Sequence, residues 1–201
     1  RRSSDLASVL APERIVVQSK GMARWLTFRL AQRQGIAANL TFPFPAAHIW
    51  DTFCALLGEE VPDDSPFRPE VLSWRILEIL EQSLDRPVFD PLRRYIEGGD
   101  AVRRQALASQ IADTDDGYLI YRPDWIDAWE HGEGSDWQAE LWRTLKQSAG
   151  SHRVGLQKRV LARLTGPAIP AGTLPERLHV FGIAALPPSY CEILRALGLV
   201  S

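Results

Sequence analysis

Several features are scarce or missing in this sequence, and each absence narrows what the chain can be. Only two of its 201 residues are cysteines, Cys54 and Cys191, and they offer neither zinc-ligand spacing nor a disulfide framework, which favours a reducing, cytoplasmic setting. No uncharged apolar run reaches the roughly 18–20 residues that span a bilayer, so we expect no membrane segment. The formal net charge is −2. Any nucleic-acid contact must therefore come from a local patch.

The chain has no initiator methionine or signal peptide, and we interpret it as a fragment of a longer protein.

Motifs that signal catalysis are missing as well. The chain contains no phosphate loop of the Gly-x-x-x-x-Gly-Lys-[Ser/Thr] type, and its four histidines are isolated from one another. The run 178–183 ends in Gly182 and Ile183, where a nucleotide-hydrolysing enzyme needs an acid to hold Mg²⁺. We therefore predict a nucleotide-binding type of skeleton that has no catalytic site of its own.

A cluster of acids at Asp113, Asp115 and Asp116 suggests a metal site, but the spacing argues against one. Read as a calcium loop, the segment has Tyr118 where glycine is needed. On a helix, Asp113 and Asp116 share a face, whereas Asp115 points away. We predict no metal ligands, and we keep as an alternative a Mg²⁺-dependent nuclease that uses the acids of 113–127.

The chain has seven tryptophans but only one methionine, which is an unusual ratio. Large apolar rings are most often packed in a core, although they also provide stacking surfaces for bases. We therefore expect a core position for most of the set, which comprises Trp25, Trp50, Trp74, Trp125, Trp129, Trp137 and Trp142.

The apolar pattern predicts an α/β protein with two buried strands and a long helical middle. Residues 14–19 indicate the first strand, and a helix follows Lys20 with Ser19 as its N-cap and Gly35 as its end. Such a strand–turn–helix presents free backbone N–H groups, which are suited to an anion. Residues 177–183 indicate the second strand. The helices predicted after the first one cover 46–57, 69–83, 89–97, 100–120, 123–130, 136–148, 152–165 and a segment that opens at Pro187.

This order of elements predicts a discontinuous sheet domain with a helical insertion. We place the first part of the sheet domain at 1–66, the insertion at 67–166 and the return to the sheet domain at 167–201.

Charge is unevenly distributed along the middle of the chain. Residues 111–140 contain nine acids and one base, whereas residues 141–175 contain six bases and no acid. The basic stretch is a candidate face for tracking phosphates. The alternative, to which we give equal weight, is a solvated face whose bases pair with the neighbouring acids.

Four motifs follow one another along the chain. They are Val-Val-Gln-Ser-Lys-Gly-Met-Ala-Arg-Trp-Leu at 16–26, Gly-Ile-Ala-Ala-Asn-Leu-Thr-Phe-Pro-Phe-Pro-Ala at 35–46, Tyr-Leu-Ile-Tyr-Arg-Pro-Asp-Trp at 118–125 and Phe-Gly-Ile-Ala-Ala-Leu-Pro-Pro-Ser-Tyr at 181–190. Together they resemble the RecC family, the gamma subunits of exodeoxyribonuclease V (RecBCD), and the resemblance covers essentially the whole chain as the N-terminal part of a longer subunit.

The resemblance implies a superfamily-1 helicase fold without ATPase motifs, in which a partial RecA-like parallel sheet carries a large all-helical insertion. It also implies a non-catalytic subunit that splits duplex DNA and scans single-stranded DNA for a Chi-like signal during double-strand-break repair and recombination. The implied partners are RecB-like and RecD-like subunits, which use ATP and Mg²⁺, together with double- and single-stranded DNA. A purely structural assembly scaffold is the alternative.

The resemblance further implies a set of signal-scanning residues, whose amide, carboxylate, guanidinium and indole groups suit base reading. The residues that match are Gln18, Trp50, Asp113, Asp116, Arg122 and Arg153. Further possible contacts, three of which depart from the family's pattern, are Ser19, Lys20, Arg24 and Phe44. In the absence of the resemblance, Trp50 would be assigned to the core, and the two aspartates would be solvent-facing or paired with Arg122.

Overall fold

A computed structural model describes residues 12–63, 65–148 and 152–199. Contacts divide the chain into two compact units. The first unit combines the residues up to Glu60 with those from Val160 onward, and the second unit runs from Val61 to Arg159. Within the described residues, no helix has the length and apolar character that crossing a bilayer requires.

The first unit contains a small, wholly parallel sheet, which confirms the α/β class. Its three strands are β1 (Glu13–Val17), β2 (Leu40–Thr41) and β3 (Leu178–Phe181), in the order β2-β1-β3. Arg14 of β1 pairs with Leu178 of β3, and Val17 pairs with Phe181. The two-residue β2 was not predicted, because the sequence around it indicated only an extended Pro-rich segment.

Helices of the first unit pack against β1 and against one another. They are α1 (Lys20–Gln34), α2 (Pro45–Leu57) and α9 (Pro188–Leu197), and a 3₁₀ turn follows α2 at Gly58–Glu60. Helices α1 and α2 contact β1, and α9 packs on α2. The buried apolar residues of these elements are Val16, Val17, Ile49, Phe53, Tyr190, Ile193 and Leu197.

Both predicted ends of α1 are confirmed. The hydroxyl of Ser19 accepts a hydrogen bond from the backbone N–H of Met22 at 3.1 Å, as an N-cap does. At the other end Gly35 adopts a φ of 82°, and its N–H bonds to the carbonyl of Ala31. A left-handed residue of this kind is a common helix stop.

The prediction of a buried second strand is only half right. β3 forms where predicted, but Val180 is 48% exposed and Phe181 is 39% exposed. His179, interpreted as a core histidine, is exposed and lies 3.2 Å from a carboxylate oxygen of Glu13. β3 is the outer strand of the sheet, so within the described residues only β1 flanks it. A short, largely apolar segment therefore predicts a strand without predicting whether that strand is buried.

The second unit is helical. Its elements are α3 (Pro69–Ser83), a 3₁₀ turn (Pro87–Phe89), α4 (Asp90–Ile96), α5 (Ala101–Tyr121), α6 (Pro123–Glu130) and α7 (Trp137–Ser148), and α8 (Arg153–Thr165) begins in this unit. Each lies within a few residues of its predicted span. The long α5 packs along α3, and α7 contacts both α3 and α6.

The core of the second unit is continuous from Phe67 to Val154 and includes Trp129 and Trp142. The expectation that most tryptophans are buried is wrong for three of them. Trp25, Trp74 and Trp125 are 52%, 64% and 37% exposed. Helix α3 was expected to be buried over most of its surface, but it buries only one face, with Leu72, Ile76 and Leu80 inward and Trp74 outward.

Candidate nucleic-acid interface

The β1–α1 turn presents three polar residues of the predicted set to solvent. Gln18, Ser19 and Lys20 follow the carboxyl end of β1, and all three are exposed. They belong to one short turn because the strand ends at Val17 and the helix begins at Lys20. Backbone N–H groups of a first helical turn and a lysine side chain can together bind a phosphate.

One role of Ser19 is structural, and it can be tested separately from any contact with DNA. We expect Ser19→Ala to lower the free energy of unfolding by about 1 kcal/mol, because the N–H of Met22 loses its acceptor. Ser19→Asp keeps an acceptor at the N-cap and should leave stability nearly unchanged. Urea denaturation followed by circular dichroism measures both variants. Equal stability of Ser19→Ala and the parent chain would contradict the assignment of Ser19 as a cap.

Helix α1 carries a basic and aromatic outer face. Its charged residues are Lys20, Arg24, Arg29 and Arg33, with no acid among them. The guanidinium of Arg24 lies 5.6 Å from the ring centre of Phe28, and that of Arg29 lies 5.7 Å from the ring of Trp25. The Trp25 ring is also stacked on Phe181 at 6.0 Å. Arg24 was predicted as a contact from the sequence, whereas the aromatic members were not, because Trp25 was expected in the core with the other tryptophans.

The two predicted aromatic contacts of the first unit differ in exposure. Trp50 lies on α2 in a half-buried position, with its ring centre 6.0 Å from that of Phe53. Phe44 precedes the same helix and is 40% exposed. Beside them His48 is buried, and burial together with Arg14 lowers the pKa of its imidazole. The environment of Trp50 is thus partly core.

In the second unit, the predicted aspartates and Arg153 come together. Asp113 and Asp116 lie one turn apart on α5, with Asp113 exposed and Asp116 half-buried. Burial raises the pKa of Asp116, and the positive charge of Arg153 at the start of α8 opposes that shift. The negative charges of Asp113 and of Glu70 on α3 raise the pKa further. Sequence analysis missed Glu70, because only the packing of α3 on α5 brings it here.

The guanidinium group of Arg122 is hydrogen-bonded to Asp124, two residues further along the chain. Its Nε and Nη2 donate to the two carboxylate oxygens of Asp124 at 3.0 and 2.7 Å, and its guanidinium lies 3.6 Å from the ring centre of Trp125. These hydrogen bonds lower the pKa of Asp124. Because the side chain of Arg122 is 40% exposed, a phosphate or a guanine edge can replace Asp124 as its bidentate partner.

Much of the basic stretch is paired with acids of the preceding segment, as the alternative interpretation predicted. Arg143 pairs with Glu140 at 3.0 Å, Lys146 lies 3.7 Å from Glu130, and Lys158 binds Asp127. These contacts neutralise part of the candidate phosphate-tracking face.

His152 is not isolated, contrary to the sequence-based expectation. Its Nε2 lies 2.6 Å from a carboxylate oxygen of Glu130, and its ring packs edge-on against Phe67 and Trp142. Burial lowers the pKa of this imidazole, and Glu130 opposes the shift. Over the described residues, no three His, Cys, Asp or Glu side chains are grouped in a way that could hold a metal ion.

Comparison with known proteins gives a consistent match. The family profile described as "RecC, N-terminal domain" matches residues 2–201. The chain is 41% identical over 201 residues to the RecBCD enzyme subunit RecC of Escherichia coli, covering 93% of this chain and 18% of that protein. It is 36% identical to the protein of the same description from Haemophilus influenzae, covering 92% and 19% of the two chains. A third, from Mycolicibacterium smegmatis, is 31% identical over 98% of this chain and 18% of its own length. The chain thus spans about a fifth of the length of these relatives.

Proposed function

Because the chain belongs to the RecC family, matching its N-terminal domain, we propose that it forms part of a non-catalytic DNA-handling subunit of a helicase–nuclease. In this proposal the subunit acts in double-strand-break repair and recombination, in the cytoplasm. It guides single-stranded DNA and scans it for a Chi-like signal, while RecB-like and RecD-like partners use ATP and Mg²⁺ to unwind and cut.

One observation carries the scanning role. The side chains of Asp113, Asp116 and Arg153, from two different helices, interact at one place on the second unit. Carboxylates accept hydrogen bonds from cytosine amino groups, and arginine donates to guanine or to phosphate, so the set has the chemistry of base reading. Gln18, Lys20 and Arg24 of the first unit, together with Trp50, supply amide, cationic and stacking groups of the same kind.

The non-catalytic part of the proposal rests on the carboxyl end of β3. There the chain continues into Gly182, whose φ of 63° places its α-carbon so that an added Cβ would lie 2.5 Å from the sulfur of Met22. A side chain at the position that follows the strand, where an NTPase would place its Mg²⁺-binding acid, would therefore need a left-handed backbone and a displaced Met22. On the same ground, we propose that the sheet of the first unit belongs to a RecA-like domain that has lost its catalytic residues. The helical second unit would be an insertion in that domain.

The scanning role is tested in the assembled enzyme. Asp113→Ala and Arg153→Ala are introduced separately into the full-length subunit, which is reconstituted with its RecB-like and RecD-like partners. We expect unwinding of a defined duplex to persist while the sequence-dependent pause or cut is lost or displaced. Glu78→Ala on α3 and Arg94→Ala on α4, which change an exposed acid and an exposed base, serve as matched controls and should leave the cleavage map unchanged.

An assembly scaffold is the second candidate. The exposed apolar face of Trp25, Phe28 and Phe181 favours it, since contiguous apolar surface often marks an interaction site. If the cleavage map is unchanged by both Asp113→Ala and Arg153→Ala, the scanning proposal fails and the scaffold becomes the better account.

A further inference from the structure

A cleft of about 260 Å³ opens on the second unit beside helices α4, α5 and α7. Its walls combine apolar side chains with a small number of polar groups, the usual composition of a small-molecule site. Its size suits a small planar group better than a drug-sized ligand. It is lined by Leu92, Leu107, Gln110, Ile111, Thr114, Asp115, Trp137 and Gln138.

The carboxyl group of Asp115 is the unusual feature of this cleft. The residue is only 4% exposed, and its Oδ2 has no hydrogen-bond partner among the described residues. A buried carboxyl without a partner is costly, so native structures seldom keep one unless something else satisfies it. Asp115 thus lines the cleft and holds at its wall a buried acceptor oxygen that the described residues leave unpaired.

The carboxyl group of Asp115 itself favours a cation as its hydrogen-bond donor. A carboxylate that is buried without a partner repels phosphate and is stabilised by a positively charged group that donates hydrogen bonds. A metal ion is the wrong cation, because Ca²⁺ and Mg²⁺ need several oxygen ligands and Asp115 is the one carboxylate among the described residues that line the cleft.

We propose that this cleft binds a planar guanidinium or amidinium cation, with Asp115 as its anionic partner and Trp137 as the surface on which it stacks. A guanidinium pairs with a carboxylate through two parallel N–H bonds, stacks on aromatic rings and is more weakly hydrated than an ammonium ion. The carboxamide of Gln138 is held in place by donating to the hydroxyl of Tyr118 at 3.1 Å, which fixes the rim beside Trp137.

The proposed binding depends on pH through Asp115. Burial raises the pKa of this carboxyl to about 7, and no charged group contributes to the shift among the residues that the structure describes. A bound cation would favour the ionised form, so binding should expel a proton and be tighter above neutral pH than below it.

The proposal can be tested on the 201-residue protein by ¹⁹F NMR after incorporation of 5-fluorotryptophan. Trp137→Phe identifies the resonance of Trp137, and methylguanidinium is the probe. We expect a saturable shift of that resonance, with affinity reduced about ten-fold or more in Asp115→Asn because a charge-assisted pair is lost. Glu78→Gln, which changes an exposed carboxylate on α3 outside the cleft, should bind like the parent chain.

Methylammonium has the same charge but lacks the planar group with two parallel N–H donors. It should therefore bind more weakly than methylguanidinium. The proposal is overturned if the Trp137 resonance shows no saturable shift, if Asp115→Asn binds equally well, or if methylammonium matches methylguanidinium. If Asp115→Asn does not fold, Asp115→Leu replaces it, since an apolar side chain suits the buried position.

The source of the cation is distinguished by two further probes. If the peptide Gly-Arg-Gly binds like methylguanidinium and Gly-Lys-Gly does not, the occupant is an arginine side chain of a polypeptide. If only free methylguanidinium binds, the occupant is a small molecule. A single-stranded oligonucleotide that shifts Trp137 in an Asp115-dependent way, with no effect of methylguanidinium, would replace the proposal with a nucleobase site.

Discussion

Replacing Trp142 by alanine should lower the free energy of unfolding by about 3–5 kcal/mol, a large share of the roughly 5–15 kcal/mol that holds a domain together. Trp142 is fully buried, its ring centre lies 5.3 Å from that of Phe67, and its indole N–H donates to Glu130 at 3.3 Å. The substitution removes the largest buried side chain of the second unit and leaves a cavity beside His152.

The measurement is urea denaturation monitored by far-ultraviolet circular dichroism. Trp74→Ala is the matched control, because Trp74 is 64% exposed on α3 and its removal opens no cavity. The control should change stability by about 1 kcal/mol or less. A loss below about 1 kcal/mol for Trp142→Ala would mean that the core beside His152 rearranges to fill the space.

The buried carboxyl of Asp115 should make stability depend on pH in the direction opposite to that of an ion-paired aspartate. In the folded chain burial raises its pKa to about 7, whereas the ordinary value is 3.8. Between these values the folded state holds a proton that the unfolded state releases, so stability falls as pH rises. The stability contributed by the protonated form is complete below about pH 4 and lost progressively up to about pH 7.

A shift of this size corresponds to about 4 kcal/mol lost between pH 4 and pH 7 or above. Asp115→Asn removes the titrating group, so the difference in unfolding free energy between parent and variant should change by that amount over the range. Val102→Ala, which changes an exposed residue of α5 that has no titrating group, should give a difference nearly independent of pH. If the difference in unfolding free energy between the parent chain and Asp115→Asn does not change with pH, the carboxyl group of Asp115 is solvated and the prediction is wrong.

Local signals predicted the helices well. Ser19, Gly35 and Pro123 stand at helix ends because their own side chains or backbone preferences decide those ends. The i, i+3 spacing of Asp113 and Asp116 likewise placed them on one face, with Asp115 turned away into the core. These predictions needed nothing beyond the residue and its neighbours within a turn or two.

Burial could not be predicted in the same way, because it depends on elements far away in sequence. The apolar residues Val180 and Phe181 have the composition of a central strand, yet β3 is the outer strand of the described sheet. Trp25 was expected in the core, yet it stacks on Phe181 and is 52% exposed. The approach of Glu70 and Arg153 to Asp116 also follows only from how three helices pack.

The pairing of β1 with β3 has a consequence for the order in which the chain folds during synthesis. Glu13 and His179 face each other across 166 residues of sequence, whereas the second unit is one continuous stretch. A ribosome therefore finishes the whole helical unit before β3 exists, and until then β1 has only the two-residue β2 as a neighbour within the described sheet. Non-local strand pairing is intrinsically slow. The helical unit is thus the early-folding half, and the sheet is completed late.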